Sequence, residues 1–468
     1  MSVSVGVSTQ DVKSWLDGLD RVVLQKALEW ARECYAIILE KIDAALAQHR
    51  GRDLHIEHRR GVWHRTCLGL VRVTRRVYRD KDGRRWCLLD DLMGMRRYQH
   101  ATRSVRELVL EMASTMPFRR SAEVLRKASA IDVPHQTVWR LVARTADAYL
   151  EKAEGELQRF LETGEVPEGE GKKLALLLVE ADGVMLSLQR ERERQAEVKV
   201  GIAYEGWERV SADRHRTVDK KSFAAVGSGD AFWAGMSLKL QETYDLGAMK
   251  DTIVGGDGAS WIKDGAEYLN GEFQLDGYHL HRELCTALGR DTESKRKVWH
   301  AIQRGEIEGA LGILAEAKSR ARGKEADRIA HAYRYLQENR SGLEDYRRRL
   351  GDEGKGLRRT GAIEGNVDKL VVRRMKNQGM SWSLKGIQRL LCVRLLVLEG
   401  KLGDWLRNRE TQGARVPVPR RKLRSIVNQT LQQDPSDCLR AELPALHGPH
   451  ASRPWAEVLR AVAEVQPL

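Results

Sequence analysis

The chain has 468 residues, 42% of them hydrophobic, with 80 Lys and Arg against 66 Asp and Glu and a formal net charge of +14. That length and apolar share exclude a disordered tail or a minimal disulfide scaffold, and they suffice for two or three domains. The six cysteines, Cys34, Cys67, Cys87, Cys285, Cys392 and Cys438, form no CxxC pair, no leader is visible, and no apolar run approaches the ~18 residues of a membrane span. The expectation is a reduced, cytoplasmic, nucleoid-associated protein that meets a polyanion, with nucleic acid the first candidate.

In chain order, residues 11–49 carry Leu24, Leu28, Ala31, Ile38, Ile42 and Leu46 at helical spacing, with His49, Arg50 and Gly51 suited to a C-terminal end. Residues 54–90 change to period two. Val71, Val73 and Val77 alternate with Arg72, Thr74 and Arg76; Asp80, Lys81, Asp82 and Gly83 mark a turn; and Trp86, Cys87, Leu88 and Leu89 follow, which predicts a basic β-hairpin. His55, His58, His64, Cys67 and Cys87 in this span are zinc-ligand types, but their spacing matches no established zinc pattern, and solvated side chains on strands are the plainer reading. Helical periodicity returns at 102–113. Two further helical stretches, 118–125 and 134–142, are separated by a short break, with Pro134 at the first turn of the second. Read as a helix-turn-helix, they place Gln136, Thr137 and Arg140 in a DNA major groove; an ordinary helical hairpin is the alternative.

Residues 160–172 form the clearest linker. Their Gly-Lys pair is no phosphate-binding loop: Val166 stands where the first glycine belongs, Lys173 replaces Ser or Thr, and a strand follows instead of preceding. The apolar run 174–179 then delivers Glu180-Ala181-Asp182-Gly183. Strands follow through Val198, Val200, Ile202 and Tyr204 and near 222–226, then a helix over 230–239. A strand at 252–256 runs into Asp257-Gly258, and another at 273–275 ends on Asp276-Gly277-Tyr278-His279, so three strand ends are expected to carry Asp-Gly. Residues 283–350 interrupt this alternation with charged helices. Gly361-Ala362-Ile363-Glu364-Gly365-Asn366 and a basic helix come next, and the tail from Gly413 reads as loosely ordered.

Asp182, Asp257 and Glu364 are too far apart for any local element to join them. A sheet can, because functional residues of α/β folds gather at strand ends. Clustered carboxylates repel unless hard cations sit between them, and two such ions clamp an in-line displacement at phosphorus. A lone Asp-Gly is usually only a turn. Two buried-type strands each ending on one, with Glu364 beyond a helical insertion, carry the metal-carboxylate reading.

The motifs Glu180-Ala181-Asp182-Gly183-Val184, Gly256-Asp257-Gly258-Ala259-Ser260-Trp261, Leu275-Asp276-Gly277-Tyr278-His279, and Gly361-Ala362-Ile363-Glu364-Gly365-Asn366 through Gly379-Met380-Ser381-Trp382-Ser383 occur in order. Over residues 50–400 the chain resembles the bacterial ISLre-type insertion-sequence transposases, relatives of the Mutator-like group. The resemblance implies an RNase H-like α/β core with a mixed sheet over 173–400 and an all-helical insertion at 283–355. Before the core would come a helical segment 1–50, an α+β DNA-binding region 51–159 whose β-hairpin and helix-turn-helix would read the terminal inverted repeats, and the linker 160–172; a basic tail, 401–468, would follow it. It implies Asp182, Asp257 and Glu364 as the catalytic triad holding two Mg²⁺ (or Mn²⁺) ions, and Asp276 and His279 as a (C/D)xxH motif, with His279 positioning a phosphate or the scissile strand. Hydrolysis would free a 3′-OH at the transposon end, which attacks target DNA. The basic residues Arg373, Arg374, Lys376 and Lys385 beside Glu364 read as a backbone contact, with Trp382 stacking on an unpaired base. The implied partners are double-stranded DNA and a second copy for synapsis, with no membrane. A non-catalytic DNA-binding derivative and a metal-dependent nuclease without strand transfer are the alternatives.

Overall fold

Residues 19–95, 100–166, 169–212, 214–377, 379–411, 421, 423–425 and 428 are described in the computed structural model. They fall into two units, one drawn from Met1–Val109, Arg119–His135 and Gly403–Leu468 and the other from Leu110–Phe118 and Gln136–Leu402. Cys438, Pro417, Pro419 and nearly all of the expected tail lie outside the described residues, as do residues 11–18 of the first expected helix.

In the first unit, helix α1 (Leu19–Gln48) buries Leu39, Ile42 and Leu46 of its C-terminal half against Val71, Val73 and Tyr78. Those residues belong to an antiparallel hairpin of β1 (His55–Thr66) and β2 (Gly69–Arg79). The hairpin turns at Cys67 and Leu68, not at 80–83. Thr66 Oγ1 donates to the Gly69 carbonyl at 2.9 Å and accepts the Leu68 N–H at 3.0 Å, and Gly69 takes a φ of +108°. The Asp80 turn leads only to the two-residue β3 (Arg85–Trp86), and α2 (Leu88–Leu92) replaces the expected strand. Leu88 and Leu89 both enter the one core beside α1, whereas consecutive residues of a strand point to opposite faces. The carboxylates of Glu40 and Asp43 on α1 accept the edge N–H groups of Thr74 (2.9 Å) and Arg76 (3.3 Å) on β2.

Helices α3 (Arg103–Thr115), α4 (Phe118–Ala128) and α5 (His135–Thr163) follow, the last opening directly after Pro134 as the sequence predicts.

The second unit is mixed α/β. Its strands are β4 (Leu176–Ser187), β5 (Gln195–Tyr204), a small β6–β7 ribbon (Trp207–Arg209, His215–Thr217) and β8 (Lys221–Val226). Helix α6 (Gly229–Gln241), β9 (Asp251–Gly256), α7 (Ser260–Tyr268) and β10 (Glu272–Leu275) continue it. The five-stranded sheet has the order β10-β9-β4-β5-β8. β4, β5 and β8 run as an antiparallel meander, and β9 and β10 lie parallel to β4 on its other side. Alternation along β4 sends Leu177, Val179 and Ala181 to one core with Phe232, Trp233 and Ile262, and Leu178, Val184 and Leu186 to another with Ile363, Val367 and Leu390.

One expectation is corrected here. Asp182 and Gly183 do not end β4, because Val184 and Leu186 extend its buried alternation as far as Ser187. They lie instead where β4 outruns its parallel neighbour: β9 pairs with β4 only up to Gly255 opposite Glu180.

Next come α8 (Gly277–Leu288), α9 (Thr292–Gln303), α10 (Ile307–Arg320) and α11 (Lys324–Glu338), then the single turn α12 (Tyr346–Arg349). This helical block opens at Gly277, immediately after β10, because Asp276 caps α8 by accepting the His279 N–H. The chain then forms α13 (Ile363–Val367), a π-helical stretch Asp368–Lys376, α14 (Leu384–Leu398) and α15 (Leu402–Thr411).

Candidate metal centre

Strand register brings the acids together. Glu180 lies opposite Gly255 and Gly256 opposite Leu275, so Asp182, Asp257 and Asp276 follow one another across three parallel neighbours at their C-terminal side. Gly256 makes the close approach possible, since a Cβ there would sit 2.9 Å from the Ala181 carbonyl. The Asp257 carboxylate accepts the Ala259 N–H at 2.9 Å, which shapes the turn into α7. The Asp257 carbonyl accepts the Tyr335 hydroxyl at 2.7 Å, so the last helix of the insertion holds this turn in place.

Asp276 and His279 form a second element of the site. Both are buried, and His279 Nδ1 meets Asp276 Oδ2 at 2.9 Å, which leaves Nε2 as the ring nitrogen open to a ligand. This is how a carboxylate orients an imidazole behind a reactive site. The Asp276 hydrogen bond pushes the His279 pKa up against the effect of burial, helped by the charges of Asp182 and Asp257.

Glu364 arrives on α13, whose entry, like the start of any helix, leaves backbone N–H groups without intrahelical partners. Those of Gly361, Ala362 and Ile363 point into the carboxylate of Glu180 at 2.9, 3.2 and 3.0 Å. The Tyr204 hydroxyl donates to the same group. Glu180 is 1% exposed, and burial pushes its pKa up although all four donors favour the charged form. Gly361, with φ +134°, turns the backbone so that these groups converge. Glu180 precedes Asp182 by two residues and so shares its face of β4. One strand therefore fixes both Asp182 and the entry to the segment bearing Glu364. The sequence reading missed Glu180; the available signal was an acid inside an otherwise apolar strand.

The outcome is a cluster in which Asp182, His279 and Glu364 each offer a ligand atom, all within 4.8 Å of one another. Asp257 stands outside that group but close enough to act on it electrostatically. Burial pushes the Asp182 carboxyl up to about 6; the Gly183 N–H and His279 oppose the rise, while Asp257 and Glu364 add to it.

The remaining sequence-derived residues divide. Gln136 and Arg140 are exposed and Thr137 is half-buried. Arg373, Lys376 and Lys385 are exposed, and Arg373 pairs with Asp368 at 2.6 Å. Arg374 must be withdrawn from the surface set. It is 2% exposed, donates to the Ala113 carbonyl at 3.1 Å and lies between the rings of Phe118 and Trp382. Trp382 is itself half-buried, with its indole N–H on the Met375 carbonyl at 2.8 Å, so both residues brace the segment after Glu364. Among the described residues, His55, His58, His64, Cys67 and Cys87 do not gather as a metal-binding group. His64 is buried, which pushes its pKa down.

The profile of an uncharacterised protein family, UPF0236, matches residues 12–412. Two UPF0236 proteins of Caldanaerobacter subterraneus subsp. tengcongensis are similar to this chain. One is 27% identical over 381 residues, covering 80% of this chain and 75% of its own length. The other is 26% identical over 381 residues, covering 80% and 76%. A UPF0236 protein of Streptococcus gallolyticus, named for the vanSb 3′ region, is 24% identical over 373 residues, covering 76% of this chain and 77% of its own.

Proposed function

We propose that this chain, which belongs to the uncharacterised UPF0236 family, is a DDE-type DNA transposase with an RNase H-like core. The observation that carries the reading is the convergence of Asp182, His279 and Glu364 within 4.8 Å, beside Asp257 on the adjacent parallel strand. An antiparallel meander continued by two parallel strands agrees with an RNase H-like sheet. The name of one relative carries eleven locus designations in a single genome, the copy pattern of a mobile element. A net charge of +14 suits a DNA partner.

The donor set fits hard divalent cations. Its oxygens are the preferred ligands of Mg²⁺ and Mn²⁺, and the upward push on Asp182 reflects negative charge and burial that a cation offsets. Asp182, Asp257 and Glu364 would hold two such ions, which supply Lewis-acid stabilisation of charge developing at phosphorus. His279, braced by Asp276 through Nδ1, would position a phosphate oxygen through Nε2. Asp276 keeps that ring in one orientation, and Glu180 keeps Glu364 facing Asp182. Water breaks the phosphodiester at the element's end and frees a 3′-OH. That hydroxyl displaces a target 3′-oxygen, one P–O bond forming as another breaks, so no nucleotide cofactor is needed.

Incubation of the full chain with an end-bearing duplex and Mg²⁺ or Mn²⁺ tests this. Asp182→Ala, Asp257→Ala and Glu364→Gln each abolish strand cleavage and leave duplex binding within about twofold, because phosphate contacts elsewhere supply the affinity. Cleavage that survives these changes removes the reading, and cleavage without joining to a target plasmid reduces it to a nuclease.

A further inference from the structure

The arginines of the β1–β2 hairpin sort into two sets. Arg75 pairs with Asp90, Arg76 with Asp43, and Arg79 and Arg85 with Glu57. Among the described residues, the side chains of Arg59, Arg60, Arg65 and Arg72 have no hydrogen-bond or ion-pair partner; Arg60, opposite Arg75, lies on the other face, which leaves Arg59, Arg65 and Arg72. The register puts these three on one face: Trp63 stands opposite Arg72, Arg65 opposite Leu70, and Arg59 opposite Arg76, with Gly61 opposite Thr74. Trp63 is 55% exposed at the centre of that face. Gly61 has a local purpose, since a Cβ there would lie 2.9 Å from Arg72 Nε; its absence lets the guanidinium lie across β1.

The other face closes on α1 through Val71 and Val73. The β2 edge is occupied by Glu40 and Asp43, which disfavours an added strand as the occupant. What is left open is the outer face of β1 and β2, with three free cations around an aromatic ring. The one acid on the ribbon, Glu57, is already neutralised by two arginines. A ribbon of this kind fits the ~12 Å major groove of B-DNA, where arginines meet phosphates or guanine edges and an aromatic ring packs on the groove wall.

We propose that the outer face of the β1–β2 hairpin is a duplex-DNA contact surface, with Arg59, Arg65 and Arg72 as anion contacts and Trp63 as the packing residue. It rests on the DNA-acting reading and assigns part of the duplex contact to the hairpin in addition to α5.

The test is fluorescence anisotropy of the full chain on a labelled duplex taken from the DNA just outside its reading frame, across a salt series. Arg59→Gln/Arg72→Gln is expected to weaken binding about tenfold and to lower the slope of log K against log salt by about two, one counterion per phosphate lost. Trp63→Ala should weaken binding severalfold with the slope unchanged, which separates packing from charge. All three positions are exposed, and circular dichroism checks that the fold is kept. Wild-type affinity and slope in both variants would overturn the hairpin assignment. Mn²⁺-dependent cleavage of the same duplex by the wild type, run in parallel, would leave the transposase reading standing in that case. A wild type that binds no duplex would overturn both.

Discussion

Glu180 combines almost complete burial with a carboxyl group that has, among the described residues, no cationic partner; four hydrogen-bond donors take that place. Glu180→Gln puts an NH₂ group where donors from Gly361 and Ile363 arrive. Leaving such groups opposed inside a core costs about 2–4 kcal/mol. Urea unfolding should register that loss, and Mn²⁺ binding followed by electron paramagnetic resonance should weaken, because α13 no longer enters at a fixed angle. Unchanged manganese affinity would show that Glu180 does not position Glu364. Asp182 behaves in the opposite sense. An acid whose pKa rises on folding binds its proton more tightly in the native chain, so its contribution to stability falls as pH climbs from its ordinary value of 3.8 through about 6. Asp182→Asn should therefore stabilise the metal-free protein by roughly 1–2 kcal/mol at neutral pH, while abolishing cleavage. Melts at pH 4.5 and 7.5 check the sign: the gain should be small at the lower pH. At this scale Asp182, Asp257, His279 and Glu364 were legible because each follows a recognisable apolar run or sits in a glycine-flanked turn. Glu180 was not, because its partners are 181 to 183 residues away and no periodicity reports a hydrogen bond.

The element carrying Glu364 continues as nine residues of π-helix, Asp368–Lys376. Such segments are rare and need support for their wide turn. Arg394 on α14 supplies it. Its guanidinium is buried and donates to the carbonyls of Lys369, Leu370 and Ser114. Burial pushes its pKa down to about 10, still protonated at neutral pH. Arg394→Leu removes three hydrogen bonds to these carbonyls and should destabilise the protein by about 3 kcal/mol, visible as a lowered urea midpoint. Hydrogen exchange should localise the loosening to residues 364–376; uniform loosening would assign Arg394 to general packing instead. Strand and helix identities in the second unit were readable because buried parallel strands are continuous apolar runs. Boundaries failed where tertiary context decided them. β4 passes through Asp182 because its neighbour β9 stops first, and the hairpin turns at Cys67 because Thr66 closes it there.

For the molecule as a whole, the proposed metal site predicts a linkage between ion and fold. An ion that binds only the native chain, at a concentration 100 times its Kd, adds about 2.7 kcal/mol of stability. Thermal melts of the wild type should therefore shift upward with Mn²⁺, and those of Asp182→Asn should not; equal shifts would place the ion elsewhere. The helical insertion, read from sequence only as an interruption, belongs to this same architecture because Tyr335 anchors the Asp257 turn.

The bond between Glu180 and residues 361–363 also bears on how copies of such a gene decay. A nonsense or frameshift mutation anywhere before Gly361 removes more than Glu364. It leaves a carboxyl group in the middle of the central strand with three of its donors missing. Such a product should fail to close its sheet and be degraded, so a truncated copy is expected to vanish from the cell instead of persisting as a folded protein.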